Sequence, residues 1–278
     1  MIIIKDNLLE QLANIRLFLL DMDGTVFLGD KLLPGAVEFI ELLNANNIEY
    51  LFLTNNSSKH RGQYAAKLAR LGLPVSEDKI FTSGEATAVY LHKAKPGAKI
   101  YLVGTPALED EFRSHGFMLV DESETPDYAV LGFDTTLTYR KLWRLCDLAR
   151  AGVPYIATHP DFNCPIEGGF MPDIGAMMAL VEASTGRRPD VIVGKPHHPI
   201  IEAVVERTGT PVEQICMVGD RLYTDIALGA AGITTVLVLS GETQSRDIPG
   251  ALHQPDLVRQ HLAELGMTLR QVVSNVSV

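Results

Sequence analysis

Apolar and polar positions along the chain fall into short runs that stop abruptly at polar residues. Leu17-Phe18-Leu19-Leu20 is continuously apolar, as a strand covered on both faces requires, and it ends in Asp21, Met22, Asp23 and Gly24. Pro34 then opens a helical pattern, Ala36-Val37-Glu38-Phe39-Ile40-Glu41-Leu42-Leu43, which Asn44 to Asn47 closes. Ile48-Glu49-Tyr50-Leu51-Phe52-Leu53 reads as a second buried strand, ending in Thr54-Asn55-Asn56-Ser57-Ser58 before an amphipathic helix, His60 to Leu71. Strand, helix, strand, helix is a βαβ unit, whose right-handed crossover sets both polar strand ends on one edge of a parallel sheet. An α/β fold is predicted, with Asp21, Thr54 and Asn55 at the edge where ligands of such sheets bind. Side chains at i and i+2 of extended backbone point the same way, so Asp21 and Asp23 reach one site if the strand conformation continues past Leu20. Each stretch alone also has a plain reading, because Asp and Gly favour turns and Thr, Asn and Ser favour helix caps.

A second α/β module follows. Phe81 to Ala88 begins a helix, Ala98 to Val103 and Asp127 to Phe133 are strands, and Thr138 to Ala151 is a helix. Pro154 to Thr158 is a strand that ends in His159-Pro160-Asp161, and Asp173 to Ser184 is helical. Between them, Phe162 to Pro172, with Cys164, Glu167, Gly168 and Gly169, reads as an irregular loop able to shape a pocket. The core resumes at Pro189-Asp190-Val191-Ile192-Val193-Gly194, a short strand that presents Lys195 before Pro196. Residues 1–81 and 189–278 are thus expected to form the core, and 82–188 a smaller inserted domain. Gln214 to Gly219 is a further buried strand, ending in Asp220 and, five residues on, Asp225, with Ile226 to Ala231 helical. Gly232 to Leu239 is one more strand, and the tail carries ordinary helix pattern. His197 and His198 lack metal-ligand spacing with a clear partner and read as structural or surface groups.

Charge and composition narrow the chemistry. A hydrophobic content of 46% over 278 residues supports a sizeable core. The formal charge of −10 and pI near 5.3 oppose nonspecific binding to nucleic acid or to an anionic membrane. A bound phosphate would therefore need a local cation. Cys146, Cys164 and Cys216 are odd in number and widely spaced, which suggests neither a disulfide framework nor a CxxC metal site. Met1 to Asp6 turns charged by Lys5 and has no basic region before an apolar run, so no signal peptide is read there, and no apolar stretch is long enough to span a membrane. The expected location is the cytoplasm.

Four strand ends now present Asp21 with Asp23, Thr54 with Asn55, Lys195, and Asp220 with Asp225. In order and spacing, Asp21-Met22-Asp23-Gly24-Thr25, Leu53-Thr54-Asn55, Lys195 and Gly219-Asp220 to Asp225 resemble the motifs of the haloacid dehalogenase-like superfamily of phosphohydrolases. Thr54-Asn55-Asn56-Ser57, Thr82-Ser83-Gly84-Glu85-Ala86-Thr87 and the long insertion look like its NagD-like, 4-nitrophenylphosphatase branch, and the resemblance covers nearly the whole chain. It implies a Rossmann-like parallel sheet with helices on both faces and an α/β cap between the second and third motifs.

By the same resemblance Asp21 is the nucleophile of an aspartyl-phosphate mechanism and Asp23 the general acid and base. Mg²⁺ is held by Asp21, Asp220 and the Asp23 carbonyl, with Asp225 orienting them. Thr54, Asn55, Asn56 and Lys195 take the phosphate. The chemistry is consistent: a carboxylate attacks without prior deprotonation, but its approach to an anionic ester needs cations to offset repulsion. Expelling halide needs no proton, whereas an alkoxide does, so an acid at Asp23 argues for ester hydrolysis over dehalogenation. A small phosphorylated metabolite is the implied partner. His159, Asp161 and the Phe162 to Pro172 loop are the candidate leaving-group contacts, with a structural turn as the other reading of that stretch. The resemblance also allows a homodimer through the cap. The reading from a different class is a noncatalytic phosphometabolite sensor that retains the fold.

Overall fold

The buried aliphatic runs become the middle of a parallel sheet. Leu17–Leu20 is buried at every position and pairs in parallel with Glu49–Thr54 on one side and Ile215–Gly219 on the other. Across the six-stranded sheet the order is Leu257–Arg259, Thr234–Val238, Ile215–Gly219, Leu17–Leu20, Glu49–Thr54, Ile80–Thr82. The chain leaves Leu17–Leu20 in one direction and later returns to build on its other side, which makes this strand the topological switch point where open α/β sheets bind ligands. Helices cover both faces, as predicted for the core. The computed structural model describes residues 8–166 and 168–276. The stretch Met1 to Asp6, read as lacking a signal peptide, and Glu167 of the loop lie outside them. Among the described residues no helix is long and apolar enough to cross a membrane.

Two compact units make up the chain, one comprising residues up to Leu53, Ala65–Ile80 and Val204 onward, the other Thr54–Tyr64 and Phe81–Ala203. In the first, Phe18 of the central strand meets Phe39 of helix Ala36–Ala45 edge to face, with centroids 5.5 Å apart at 88°. Both rings are buried, each stabilising the fold by about 1.5–3 kcal/mol. Gly35 precedes that helix with φ +84°, and a Cβ there would stand 2.1 Å from the Ala263 nitrogen. A side chain would thus part the helix from Leu262–Val276, whose Ala263 N–H donates to the Pro34 carbonyl at 3.2 Å.

The second unit holds its own parallel sheet, in the order Val191–Ile192, Tyr155–Ala157, Tyr128–Leu131, Lys99–Val103, Met118–Leu119. Tyr155, Val103, Leu145, Ile174 and Val181 are among its buried core. Its helices start where polar caps satisfy free N–H groups: Thr82 accepts from Glu85, Thr105 from Leu108 and Thr138 from Lys141.

Three local expectations are corrected here. Phe162 to Pro172 is not an irregular loop, since Asn163–Ile166 and Gly169–Pro172 form an antiparallel hairpin, with Gly168 at φ +80° in the turn. Two prolines inside ten residues hid that pattern. Val191–Ile192 does not resume the core sheet but pairs with Ile156 and Ala157 at the edge of the second one. The tail holds a strand, Leu257–Arg259, before its helix.

Candidate active site

Asp21 extends the central strand by one residue, its N–H donating to the Val218 carbonyl at 2.9 Å. The chain then turns tightly: the Met22 carbonyl accepts from Val26 at 2.9 Å and Phe27 at 3.1 Å, and Gly24 takes φ +89°. Met22 points into the core between a half-buried Asp21 and an exposed Asp23, the alternation that extended backbone imposes. Asp220 follows Gly219 on the adjacent strand, in register with it through Leu20 and Val218. Five residues on, Asp225 folds back, its N–H bonded to the Arg221 carbonyl and its Oδ2 accepting from the Arg221 N–H, both at 3.1 Å. One carboxylate oxygen of each of Asp21, Asp220 and Asp225 lies within 4.8 Å of the others.

Glycines make the room for this cluster. A Cβ on Gly24 would stand 2.4 Å from Asp220 Oδ2, one on Gly241 2.0 Å from the same atom, and one on Gly219 2.2 Å from the Asp225 Cγ. The Glu242 N–H donates to Asp220 Oδ2 at 2.6 Å, and Ser240 Oγ ties the same segment to the Gly24 carbonyl at 2.8 Å. Asp220 Oδ1 is buried and accepts no hydrogen bond from the described residues. Burial, then the neighbouring Asp21 and Asp225 carboxylates, push the Asp220 carboxyl up to about 8.

The second unit carries a separate polar cluster. Asn55, 6% exposed, grips the main chain of Lys195: its Oδ1 accepts from the Lys195 N–H at 2.8 Å and its Nδ2 donates to the Lys195 carbonyl at 2.9 Å. Nδ2 also donates to Asp161 Oδ1 at 3.1 Å, and the Asn55 carbonyl accepts from Ser83 Oγ. Gly194 has to be glycine there, because a Cβ would meet Asn55 Oδ1, His159 Cβ and the Thr158 carbonyl, each at 2.7 Å. Thr54 Oγ1 accepts from the Asn56 N–H at 3.1 Å, and Asn56 Oδ1 accepts from the Ser58 N–H at 2.9 Å, so the loop is locked by its own side chains.

Two family profiles match the chain, haloacid dehalogenase-like hydrolase over residues 18–118 and HAD-hydrolase-like over 192–265. An acid sugar phosphatase of Staphylococcus saprophyticus is 37% identical over 238 residues, 85% of this chain and 91% of that protein. The chain belongs to the haloacid dehalogenase-like hydrolases. A 4-nitrophenylphosphatase structure from Thermotoga maritima is 49% identical with a TM-score of 0.88, covering 92% of this chain and 98% of that one. A glycerol phosphate phosphatase from Mycobacterium tuberculosis, solved in complex with calcium, is 32% identical with a TM-score of 0.83, covering 92% of this chain and 76% of that one. Within the family this hydrolase falls in the NagD and 4-nitrophenylphosphatase branch and is a phosphoric monoester hydrolase.

The fold of this haloacid dehalogenase-like hydrolase thus brings Asp21, Asp220 and Asp225 together in one unit, and Asn55, Lys195 and Asp161 together in the other. Three converging carboxylates, one of them with a buried oxygen that accepts no hydrogen bond from the described residues, suit a hard divalent cation, which prefers carboxylates and carbonyls. His159 departs from the expectation of a leaving-group contact. It is fully buried, with Nε2 3.0 Å from Asp173 Oδ1 and Nδ1 3.2 Å from Thr158 Oγ1, so its ring faces protein on both sides. Gly241 and Glu242 escaped the sequence reading, although Ser240-Gly241-Glu242-Thr243 is another polar strand end. Ser83 reads in the sequence only as part of the stretch Thr82 to Thr87 and Asp173 only as the start of a helix, neither with a role at the site.

Proposed function

We propose that this phosphatase hydrolyses small phosphate monoesters of metabolites in the cytoplasm, through a phosphorylated Asp21. The observation that carries the reading is the Asp21, Asp220 and Asp225 cluster at the ends of adjacent parallel strands, with a buried Asp220 oxygen lacking a hydrogen bond. An Asp21 oxygen attacks phosphorus as the ester bond breaks, and the electron pair leaves on the alkoxide, which takes the proton of Asp23. Water then attacks the aspartyl-phosphate and gives a proton back to Asp23, and inorganic phosphate departs from a regenerated Asp21 carboxylate. A general acid and base in this role contributes ~10²–10⁴-fold. Asp21, Asp220 and the Asp23 carbonyl would hold Mg²⁺, with Asp225 behind them. Bound there, the ion would withdraw charge from the phosphate and lower the repulsion between it and Asp21. By the motif match, Thr54, the Asn55 N–H, Asn56 and Lys195 take the phosphate oxygens.

Residues 82–188 form the cap in this proposal and read the leaving group. Phe170 in its hairpin is 72% exposed and Phe162 at its base is 63% exposed, aromatic faces suited to an apolar or ring-bearing alcohol. The deciding assay is phosphate release from 4-nitrophenyl phosphate and a panel of metabolite monophosphates, with Mg²⁺ or EDTA, for wild type and Asp21→Asn. Mg²⁺-dependent turnover that vanishes in Asp21→Asn, with phosphate trapped on wild-type Asp21 after acid quench, is expected. A folded, Mg²⁺-binding protein that turns over nothing would favour the phosphometabolite sensor.

A further inference from the structure

Asp161 follows His159 and Pro160 at the end of strand Tyr155–Ala157, where the sequence suggested a leaving-group contact. Its hydrogen bonds give it another task. Asn55 clamps the Lys195 main chain with both ends of one amide, so the clamp works in one orientation only: oxygen toward the Lys195 N–H, nitrogen toward the Lys195 carbonyl. Turning the amide over would place two donors together and two acceptors together. Asp161 Oδ1 accepts the other proton of Asn55 Nδ2 at 3.1 Å. An ionised carboxylate can only accept, so it strengthens the working orientation and repels the turned one.

Asp161 is itself held from behind. Its carbonyl accepts from the Gly175 N–H at 2.8 Å, in the first turn of helix Ile174–Thr185. Gly175 permits that approach, because a Cβ there would stand 2.6 Å from the Pro160 carbonyl oxygen. Ser83 Oγ secures the Asn55 carbonyl independently. Asn55 is thus fixed at its main chain and at both side-chain atoms, and Asp161 adds a contact that reinforces the amide orientation set by the Lys195 main chain.

We propose that Asp161 is a positioning residue of the phosphatase, locking the Asn55 amide and through it the Lys195 backbone. The proposal rests on the reading of Asn55 and Lys195 as phosphate-holding groups. A residue acting on the phosphate side affects every ester alike, whereas a leaving-group contact distinguishes between esters.

The test compares kcat/KM of wild type, Asp161→Ala and Asp161→Asn on 4-nitrophenyl phosphate, a sugar phosphate and a nucleoside monophosphate. Calorimetric binding of inorganic phosphate accompanies it. Asp161→Ala is expected to lose roughly 10–100-fold, by the same factor on all three esters, as small misplacements of positioning groups do. Phosphate binding should weaken in parallel. Asp161→Asn, which can present an acceptor oxygen on the same stem, should recover most of the loss. Losses that differ more than tenfold between esters, or unchanged phosphate binding in Asp161→Ala, overturn the proposal. Asp161→Ser, too short to reach Asn55, replaces the alanine variant if that one does not fold. A wild type without turnover on any ester would overturn the mechanism above instead, and phosphate binding would then decide on Asp161 alone.

Discussion

Replacing Asp220 with asparagine should stabilise the metal-free protein while abolishing activity, and the gain should grow with pH. Asp220 is 2% exposed, shares its site with Asp21 and Asp225, and titrates at about 8 in the fold against 3.8 in the unfolded chain. The folded state therefore binds the proton more tightly than the unfolded state. Stability from this group is fully present below pH 3.8 and is lost as pH rises toward 8. Each pH unit in that window is worth about 1.4 kcal/mol, so three units from pH 5 to pH 8 cost wild type up to about 4 kcal/mol. Relaxation of the three carboxylates lowers this to ~2–3 kcal/mol. Asparagine has the same shape, carries no charge, and can keep an oxygen on the Glu242 N–H while its amide nitrogen replaces the unbonded Oδ1. Urea denaturation of both proteins in EDTA at pH 5 and pH 8 measures the difference. An advantage of Asp220→Asn that is flat with pH, or a variant less stable than wild type at pH 8, would refute the reasoning. Saturating Mg²⁺ should reverse the ranking, since only wild type regains a full set of carboxylate donors.

Gly241→Ala would press a methyl group to 2.0 Å from Asp220 Oδ2, so the Mg²⁺ concentration for half-maximal turnover should rise at least about tenfold, with ~1–3 kcal/mol of stability lost; a metal titration of activity checks it. Asp23→Asn should spare 4-nitrophenyl phosphate, whose phenolate leaves without a proton, far more than an alkyl phosphate, and similar losses on both in single-turnover kinetics would remove Asp23 from its acid role. Phe170→Ala, at an exposed hairpin position, should shift KM among esters while stability stays within ~0.5 kcal/mol by thermal melting.

What could be read from the sequence was whatever local pattern determines. The central strand matches its apolar run, Leu17–Leu20, because a strand buried on both faces must be apolar throughout. Ile215–Gly219 differs from the expected span by one residue. Helix Tyr139–Arg150 sits just inside the expected Thr138 to Ala151, with Thr138 as its cap. Partner choice was not legible. Val191–Ile192 has two residues and no pattern that tells one parallel sheet from another, so its pairing with Tyr155–Ala157 is decided by tertiary packing. The carboxylates of the candidate site were visible as residue types at strand ends. The segment that supports Asp220, Gly241 and Glu242, comes from about twenty residues further along the chain. His159 misled because it sits at a strand end in sequence, whereas Ser83 and Asp173, distant along the chain, join Thr158 in enclosing the ring.

The edge pairing of Val191–Ile192 bears on how specificity could be moved between relatives of this phosphatase. A chimera cut at the outer limits of the insertion, 82 and 188, would leave Tyr155–Ala157 without its native neighbour and transfer Asp161 without the Asn55 it contacts or the Lys195 main chain that Asn55 holds. The unit that carries its own pairings also includes Thr54–Tyr64 and runs on to Ala203. A donor cap grafted with those two flanking segments would keep the Asn55 hold on Lys195 and its sheet edge intact, so under the proposed mechanism substrate choice and phosphate binding would travel as one exchangeable cassette.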